Sequence, residues 1–515
     1  MKILPYLIRP SPEATHRASC TYGIICTVVW WISCQTLAAQ PADLTPEPVP
    51  SSFYQSSPAP PNIIYILADD LGYGDLSLLG QTSFATPHID RLASQGMRFT
   101  QHYSGSAVCA PSRASLMTGL HTGHTAVRGN EHLPNIGVAP LSAEQVTLPE
   151  AIKTGTDYVT GMTGRWHLGG ELSDQTPHDR GFDYHWGKLS SDFPNHVGVM
   201  IDNLWDGSGK HRPYAGYAAI NTEPMYENGA LYHLTDANLA RCPINTDDMV
   251  THKAKQFIAD HRDQPFFLYV AYSLPHAPME YHERHPVASD TLPATERAFV
   301  SMVLALDNYL GQLLHQLDTL GLSDNTVVIF TSDNGAHNEG GHDYRYFNSN
   351  GPFREYKRSF HEGGLHAPMI VRWPGKVPPG STTDHVSAFW DVLPTLCDVA
   401  GAPVPEGTDG ISFLPTLLGQ EQPQHDYLYW EFNETVDFQK NQYKQAVRKG
   451  LWKGIYYIEQ DAFELYDLSR DRGEDNNVAK QHPTVVAELR QIMQIAHEPS
   501  ERFPLTKEER AQAKK

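Results

Sequence analysis

Five short segments of this 515-residue chain carry side chains whose types and spacing could do chemistry. Four are Asp69-Asp70, Gly164-Arg165-Trp166-His167, Pro275-His276 and Asp333-Asn334. The fifth is Cys109-Ala-Pro-Ser-Arg113. Asp69, Asp70, Asp333 and Asn334 offer only oxygen donors, the ligands that hard divalent cations such as Ca²⁺ or Mg²⁺ take. Carboxylates gathered at one place would repel one another without such an ion. An Asp pair after a strand also serves as a turn or a helix cap, so Asp69-Asp70 alone leaves both readings open. A second acid-amide pair shifts the balance to metal. Pro111 fits the first turn of a helix. Cys109 would then stand at a positive helix end, which favours anionic ligands. The alternative is a buried thiol packing as a small apolar side chain.

These segments need elements that bring them together. Asn62 to Ala68 is a short apolar run, the pattern of a strand buried on both faces. Tyr158 to Thr163, Phe266 to Tyr272 and Val327 to Ser332 repeat it. Each run is followed at once by one of the four polar segments. Helical patterns cover Pro87 to Ala93, Met249 to His261 and Glu296 to Leu320. Strands alternating with helices predict a mostly parallel α/β sheet, and ligands of such sheets bind outside the carboxyl ends of the strands. Residues far apart in sequence therefore converge on one sheet edge. The Gly-, Asp-, His- and Tyr-rich stretch from Glu171 to Asn245 reads as insertions above the sheet. From Asp426 the pattern changes to antiparallel strands, Tyr427 to Phe432, Tyr443 to Arg448 and Gly454 to Ile458, and a helix from Pro483 to His497. That predicts a smaller C-terminal α+β domain.

The domain plan is thus residues 1–39 as a signal peptide, 40–61 as a disordered Pro/Ser-rich linker, 62–425 as the catalytic domain and 426–515 as the C-terminal subdomain and tail. Lys2, Arg9 and Arg17, the apolar run from Ile24 to Ile32 and the small residues at Ala38-Ala39 form the leader pattern. Export to the periplasm or medium is expected, with an uncleaved anchor as the alternative. A net charge of −20 excludes a broad nucleic-acid footprint, which would need a basic face. It does not exclude an anionic substrate, because a metal and a few cations reverse the field locally. Beyond the leader only Cys109, Cys242 and Cys397 remain, too few and too scattered for a disulfide framework.

Cys109-Ala-Pro-Ser-Arg113 with Leu116-Met-Thr-Gly119 resembles the signature of type I, formylglycine-dependent sulfatases of the alkaline phosphatase superfamily. Similar blocks are Asp69-Asp-Leu-Gly-Tyr-Gly-Asp75, Thr86 to Ala93, Gly164 to Gly169, Pro275-His-Ala-Pro278, Thr331 to Gly335, Gly351 to Arg358 with Glu362-Gly-Gly364, and Glu464 to Leu468, in family order. The resemblance implies an alkaline-phosphatase-like parallel sheet with a smaller antiparallel sheet. It implies that a dedicated maturation enzyme oxidises Cys109 to formylglycine. Ca²⁺ would be held by Asp69, Asp70, Asp333, Asn334 and residue 109. Catalytic roles would fall on Arg113, Arg165, His167, His276 and Lys357, and turnover would pass through a formylglycine-sulfate intermediate. Two positions depart from the pattern. Arg165 stands where the family usually has Lys, and a guanidinium keeps the charge but gives up no proton. His366 stands where it often has Arg.

The expected substrate is a sulfate monoester on a sugar, with aryl sulfates as surrogates. Gly335 to Asp343 resembles a segment of carbohydrate-active sulfatases, which makes His337, Glu339, His342 and Asp343 candidates for sugar contacts. Asp192, Asn195 and His196 are further candidates; loop scaffolding is the alternative for all of them. The rival functions are a phosphoester or phosphonate hydrolase on the same fold, and a catalytically silent binding protein.

Overall fold

The computed structural model describes residues 59–513, apart from 131, 134–136, 171–172, 190–224, 233–245, 283, 288, 290 and 435–441. The leader, nearly all of the linker, Cys242, Asp192, Asn195 and His196 lie outside the described residues. Among the latter, no helix is long and apolar enough to cross a membrane.

Ten strands form the main sheet: β1 (Asn62–Ala68), β2 (Met97–Phe99), β3 (Val159–Arg165), β4 (Tyr184–Lys188), β5 (Met225–Glu227), β6 (Ala230–Tyr232), β7 (Phe266–Ala271), β8 (Thr326–Ser332), β9 (Met369–Arg372) and β10 (Ser381–Thr383). Their order is β10-β2-β9-β8-β1-β7-β3-β4-β5-β6. The central strands β8, β1, β7, β3 and β4 run parallel, while β9, β5 and β6 are antiparallel to neighbours. Every residue of β1 is buried, as the unbroken apolar run predicts for a strand covered on both faces.

Tyr65, Leu67 and Phe267 face one cover, built from α2 (Cys109–Thr118), α3 (Leu148–Lys153) and α6 (Val392–Ala400). Ile64, Ile66 and Leu268 face the other, built from α1 (Pro87–Ser94), α4 (Thr246–Asp260) and α5 (Ala294–Leu320). The stretch read as an insertion above the sheet differs in part: its described residues supply β4, β5 and β6, which extend the sheet itself. These strands are short, and β4 carries Gly187 and polar His185 and Lys188, so no apolar run announces it.

The C-terminal sheet has four antiparallel strands, β11 (Leu428–Glu434), β12 (Gln442–Lys449), β13 (Trp452–Tyr457) and β14 (Ala462–Asp467). The fourth was not anticipated as a strand, although it contains the Glu464-Leu-Tyr-Asp block. One face packs on α7 (Pro483–Ile495) through Leu489 and Met493. The other presents Trp430, Phe432 and Ile455 to Tyr103, Phe360 and Trp390 of the main body.

Candidate active site

Register places the polar segments at one edge. Ala68 of β1 is level with Ser332 of β8, so Asp69-Asp70 and Asp333-Asn334 leave the sheet side by side. The backbone N–H of Asp333 donates to the Ala68 carbonyl at 3.1 Å, and that of Asp70 donates to Asp333 Oδ1 at 3.1 Å. Ala271 of β7 is level with Gly164 of β3, which brings in His276 and Arg165. Gly164 has φ +108°, and a Cβ there would lie 1.9 Å from the Ala271 carbonyl oxygen, so only glycine lets β3 end this close to β7.

The helix expected at Cys109 begins there. Ser112 fastens it: its hydroxyl donates to the Asp333 carbonyl at 2.6 Å and accepts the Gly105 N–H at 3.0 Å. The motif contained this residue, yet its type alone gave no role. Cys109 is buried, with Sγ 3.4 Å from Asp69 Oδ1 and 3.8 Å from Arg165 Nη1. Burial, then the Asp69 carboxylate, push its thiol well above the ordinary range. An unmodified thiol here stays protonated at neutral pH and is a poor nucleophile.

Ligand atoms of Asp69, Asp70, Cys109 and Asp333 all lie within 4.8 Å of one another. Asn334 donates from Nδ2 to Asp70 Oδ1 at 2.7 Å, while its Oδ1 is buried and without a hydrogen-bond partner. Three buried carboxylates, an orphaned amide oxygen and the side chain at 109 form an oxygen-rich set that fits a hard divalent cation. Three buried cations balance the acids. Arg113 donates to Asp69 Oδ2 at 2.9 Å and to Asp333 Oδ2 from both Nε and Nη2. Arg165 pairs with the same Asp69 oxygen. Lys357 Nζ reaches Asp70 Oδ2 at 2.8 Å and Glu339 Oε2 at 3.1 Å. Burial alone would raise Asp69, but Arg165 and Arg113 outweigh it and hold that carboxyl well below the usual range. Burial, with Asp69 adding to it, pushes Asp333 up to about 7.

Two histidines complete the centre. His276 Nε2 lies 3.6 Å from Asp70 Oδ2, and its Nδ1 is 2.6 Å from the Ala277 carbonyl. Burial and then Lys357 lower its pKa. His167 is buried at φ +63°, with Nδ1 lacking a hydrogen-bond partner. Burial, then Arg165 and Arg113, hold it well below 6.5, so it is a neutral imidazole.

The structure therefore brings Asp69, Asp70, Cys109, Arg113, Arg165, His167, His276, Asp333, Asn334 and Lys357 together. The sugar-contact candidates fare differently. His342 is buried, stacked on Phe299 with centroids 3.8 Å apart, and bonded through Nδ1 to Glu296 at 2.7 Å. Asp343 is spent on exposed Arg345 at 2.8 Å. His337 is fully buried, spans Pro275 O and the Glu339 N–H, and is lowered to about 3 by burial. Packing holds His342, the backbone holds His337, and Asp343 pairs with Arg345 at the surface. Glu339, by contrast, is 30% exposed and joins Lys357 to Arg358 at the rim. His366 is buried between Glu362 and the Thr100 carbonyl and supplies no cation.

The profile of the family named Sulfatase matches residues 61–402, a span that contains every one of these groups. The chain belongs to the sulfatase family. A second profile, N-sulphoglucosamine sulphohydrolase, C-terminal, matches residues 351–498. The N-acetylgalactosamine-6-O-sulfatase of Bacteroides thetaiotaomicron is 34% identical over 506 residues, covering 84% of this chain and 92% of that sulfatase. Human arylsulfatase A is 32% identical over 475 residues, covering 84% of this chain and 87% of the relative. Among solved structures, Ps i-CgsB in complex with k-i-k-neocarrahexaose is similar at a TM-score of 0.69 and 26% identity, covering 85% of this chain and 92% of that one. As a member of this family the chain is a sulfuric ester hydrolase with an α/β sulfatase fold.

Proposed function

We propose that this sulfatase removes sulfate from a sulfated carbohydrate, with residue 109 as formylglycine and Ca²⁺ at the acid cluster. The observation that carries the reading is the cluster itself: Asp69, Asp70, Asp333 and the side chain at 109 within 4.8 Å of one another at the start of a buried helix. The carbohydrate rests on the relatives, one of which acts on N-acetylgalactosamine 6-sulfate by its name. Asp69, Asp70, Asp333, Asn334 and residue 109 would hold the ion, which supplies a fixed double charge that polarises an oxygen and neutralises sulfate. The hydrated aldehyde of formylglycine supplies two hydroxyls on one carbon, one to attack sulfur and one to expel sulfate. A protonated thiol at this position offers neither.

The remaining work falls to the chain's own residues. Arg113, Arg165 and Lys357 surround the attack point and stabilise anionic oxygens where water is excluded. Asp333, beside residue 109, accepts the attacking hydroxyl's proton. His276 and Lys357 stand on the Asp70 side and deliver a proton to the departing sugar alcohol. His167, kept neutral by burial, takes the proton of the second hydroxyl. We also propose export through the leader and maturation of Cys109 by a separate oxidising enzyme.

Nitrophenyl sulfate and nitrophenyl phosphate, assayed side by side, test the reaction class; faster phosphate turnover would overturn it. Maturation is read by peptide mass, since exchanging sulfur and two hydrogens for oxygen lowers residue 109 by about 18 Da. Chelation should abolish activity and added Ca²⁺ restore it.

A further inference from the structure

Behind the Lys357 loop lies a buried ionic cluster that the chemistry above does not use. Lys453, on β13 of the C-terminal sheet, is fully buried; its Nζ lies 2.7 Å from Glu362 Oε1 and 3.1 Å from Glu474 Oε1. Glu474 Oε2 accepts the backbone N–H of Glu362 at 2.6 Å, and its carbonyl accepts Arg354 Nη1 at 2.7 Å. Glu362 Oε2 in turn accepts Tyr103 OH at 2.7 Å. Two residues of the C-terminal subdomain thus grip both the side chain and the backbone of Glu362.

The turn that Glu362 opens presses directly on the active site. A Cβ at Gly335 would lie 1.7 Å from the Gly363 carbonyl oxygen. The Gly335 N–H donates to Gly364 O at 3.1 Å, and the Gly363 N–H to Arg354 O at 2.8 Å. Gly335 follows Asn334, and Ala336 O accepts the Lys357 N–H at 2.9 Å. Gly363 and Gly364 thus lie directly against Gly335, which follows Asn334 and precedes Ala336, whose carbonyl holds the Lys357 N–H. Backbone packed this closely transmits a shift of the turn toward both groups.

We infer that Lys453 and Glu474 are positioning residues: through the Glu362–Gly364 turn, the C-terminal sheet sets the placement of Asn334 toward the ion and of Lys357 toward the leaving group. The inference rests on the Ca²⁺ reading above. A Lys453–Glu474 pair whose work was only to join two layers would need neither the bond from the Glu362 backbone N–H to Glu474 nor a turn packed this closely on Gly335. Truncation of the grip should loosen ion binding and slow turnover more than it weakens substrate binding.

Full-length wild type, Lys453→Met, Glu474→Gln and Asp70→Asn, matured and then stripped with chelator, would be titrated with CaCl₂ by calorimetry, with thermal melts and nitrophenyl sulfate kinetics alongside. The expected result is at least a tenfold rise in the Ca²⁺ dissociation constant for Lys453→Met and Glu474→Gln, measured well below their melting temperatures. Their kcat should fall by more than their KM rises. If Lys453→Met does not fold, Glu474→Gln carries the test, since it keeps the shape and changes only the charge. Folded variants that bind Ca²⁺ within twofold of wild type with unchanged kcat would overturn the inference. Wild type that binds no Ca²⁺ would overturn the ion reading on which it stands; wild-type binding abolished by Asp70→Asn separates the two failures.

Discussion

Arg113 sets Nε and Nη2 on a single oxygen of Asp333, Oδ2, at 3.1 and 2.9 Å, while Nη2 also touches Asp69. Both partners are wholly buried. Such a fork fixes the angle between the acids of β1 and β8 as well as their charge. Arg113→Ala would leave buried Asp333 without its ion-pair partner and Asp69 with Arg165 alone, a loss of about 3–5 kcal/mol. Arg113→Lys keeps the charge but cannot bridge both acids in this geometry. Its melting temperature should lie between those of wild type and Arg113→Ala, with kcat on nitrophenyl sulfate down about 10²-fold or more.

Arg165 tests a departure from the family pattern. It pairs with Asp69 and lies 3.8 Å from the Cys109 sulfur, so it touches the reacting residue. If its task is charge alone, Arg165→Lys should keep kcat/KM within about tenfold of wild type, and Arg165→Met should lose about 10²-fold or more. A lysine variant as damaged as the methionine one would show that the planar fork itself is required.

How far the site was legible depended on which physics wrote it. Asp69, Asp70, Asp333 and Asn334 were readable because each follows a buried apolar run, and parallel strands must end on one edge. Pro111 marked the helix start at Cys109, while the role of Cys109 came from the resemblance of Cys109 to Arg113 to the sulfatase signature. Neither rule reaches β4, which is five residues of mixed polarity stabilised by neighbours rather than by its own pattern. Nor does any local rule reveal that His342 is a packing residue: its environment is Phe299 and Glu296, both more than forty positions away. Ser112 sat inside a recognised motif, but its two hydrogen bonds join elements that only the fold brings together. Lys453 and Glu474 carried no signal, since a lysine in a strand is ordinarily a solvated charge.

His276 lies 3.6 Å from Asp70, on the side where Lys357 enters. A residue that protonates the leaving oxygen matters most when that oxygen is a poor leaving group. His276→Ala should therefore reduce kcat/KM on a sugar 6-sulfate by about 10²–10⁴-fold, but on nitrophenyl sulfate by much less. Equal losses on both substrates would assign His276 to binding rather than to proton delivery.

His497 gives a pH dependence outside the active site. It lies 2.7 Å from Glu431 through Nδ1 and 2.7 Å from Glu509 through Nε2, joining the end of α7 to β11 and to the C-terminal tail. Burial opposes its charge, but the two carboxylates outweigh burial and raise its pKa above 6.5. A group whose pKa is raised on folding stabilises fully below its unfolded value and loses that contribution as pH climbs through the folded one. The carboxylate of Glu431 works in the opposite sense but is lowered, so it stays ionised throughout the histidine's range. Wild type should therefore exceed His497→Gln in melting temperature by more at about pH 5.5 than at about pH 8.5, the direction set by proton linkage. A gap that is constant across that range, measured by differential scanning calorimetry, would mean that the imidazole acts there only as a neutral hydrogen-bond donor.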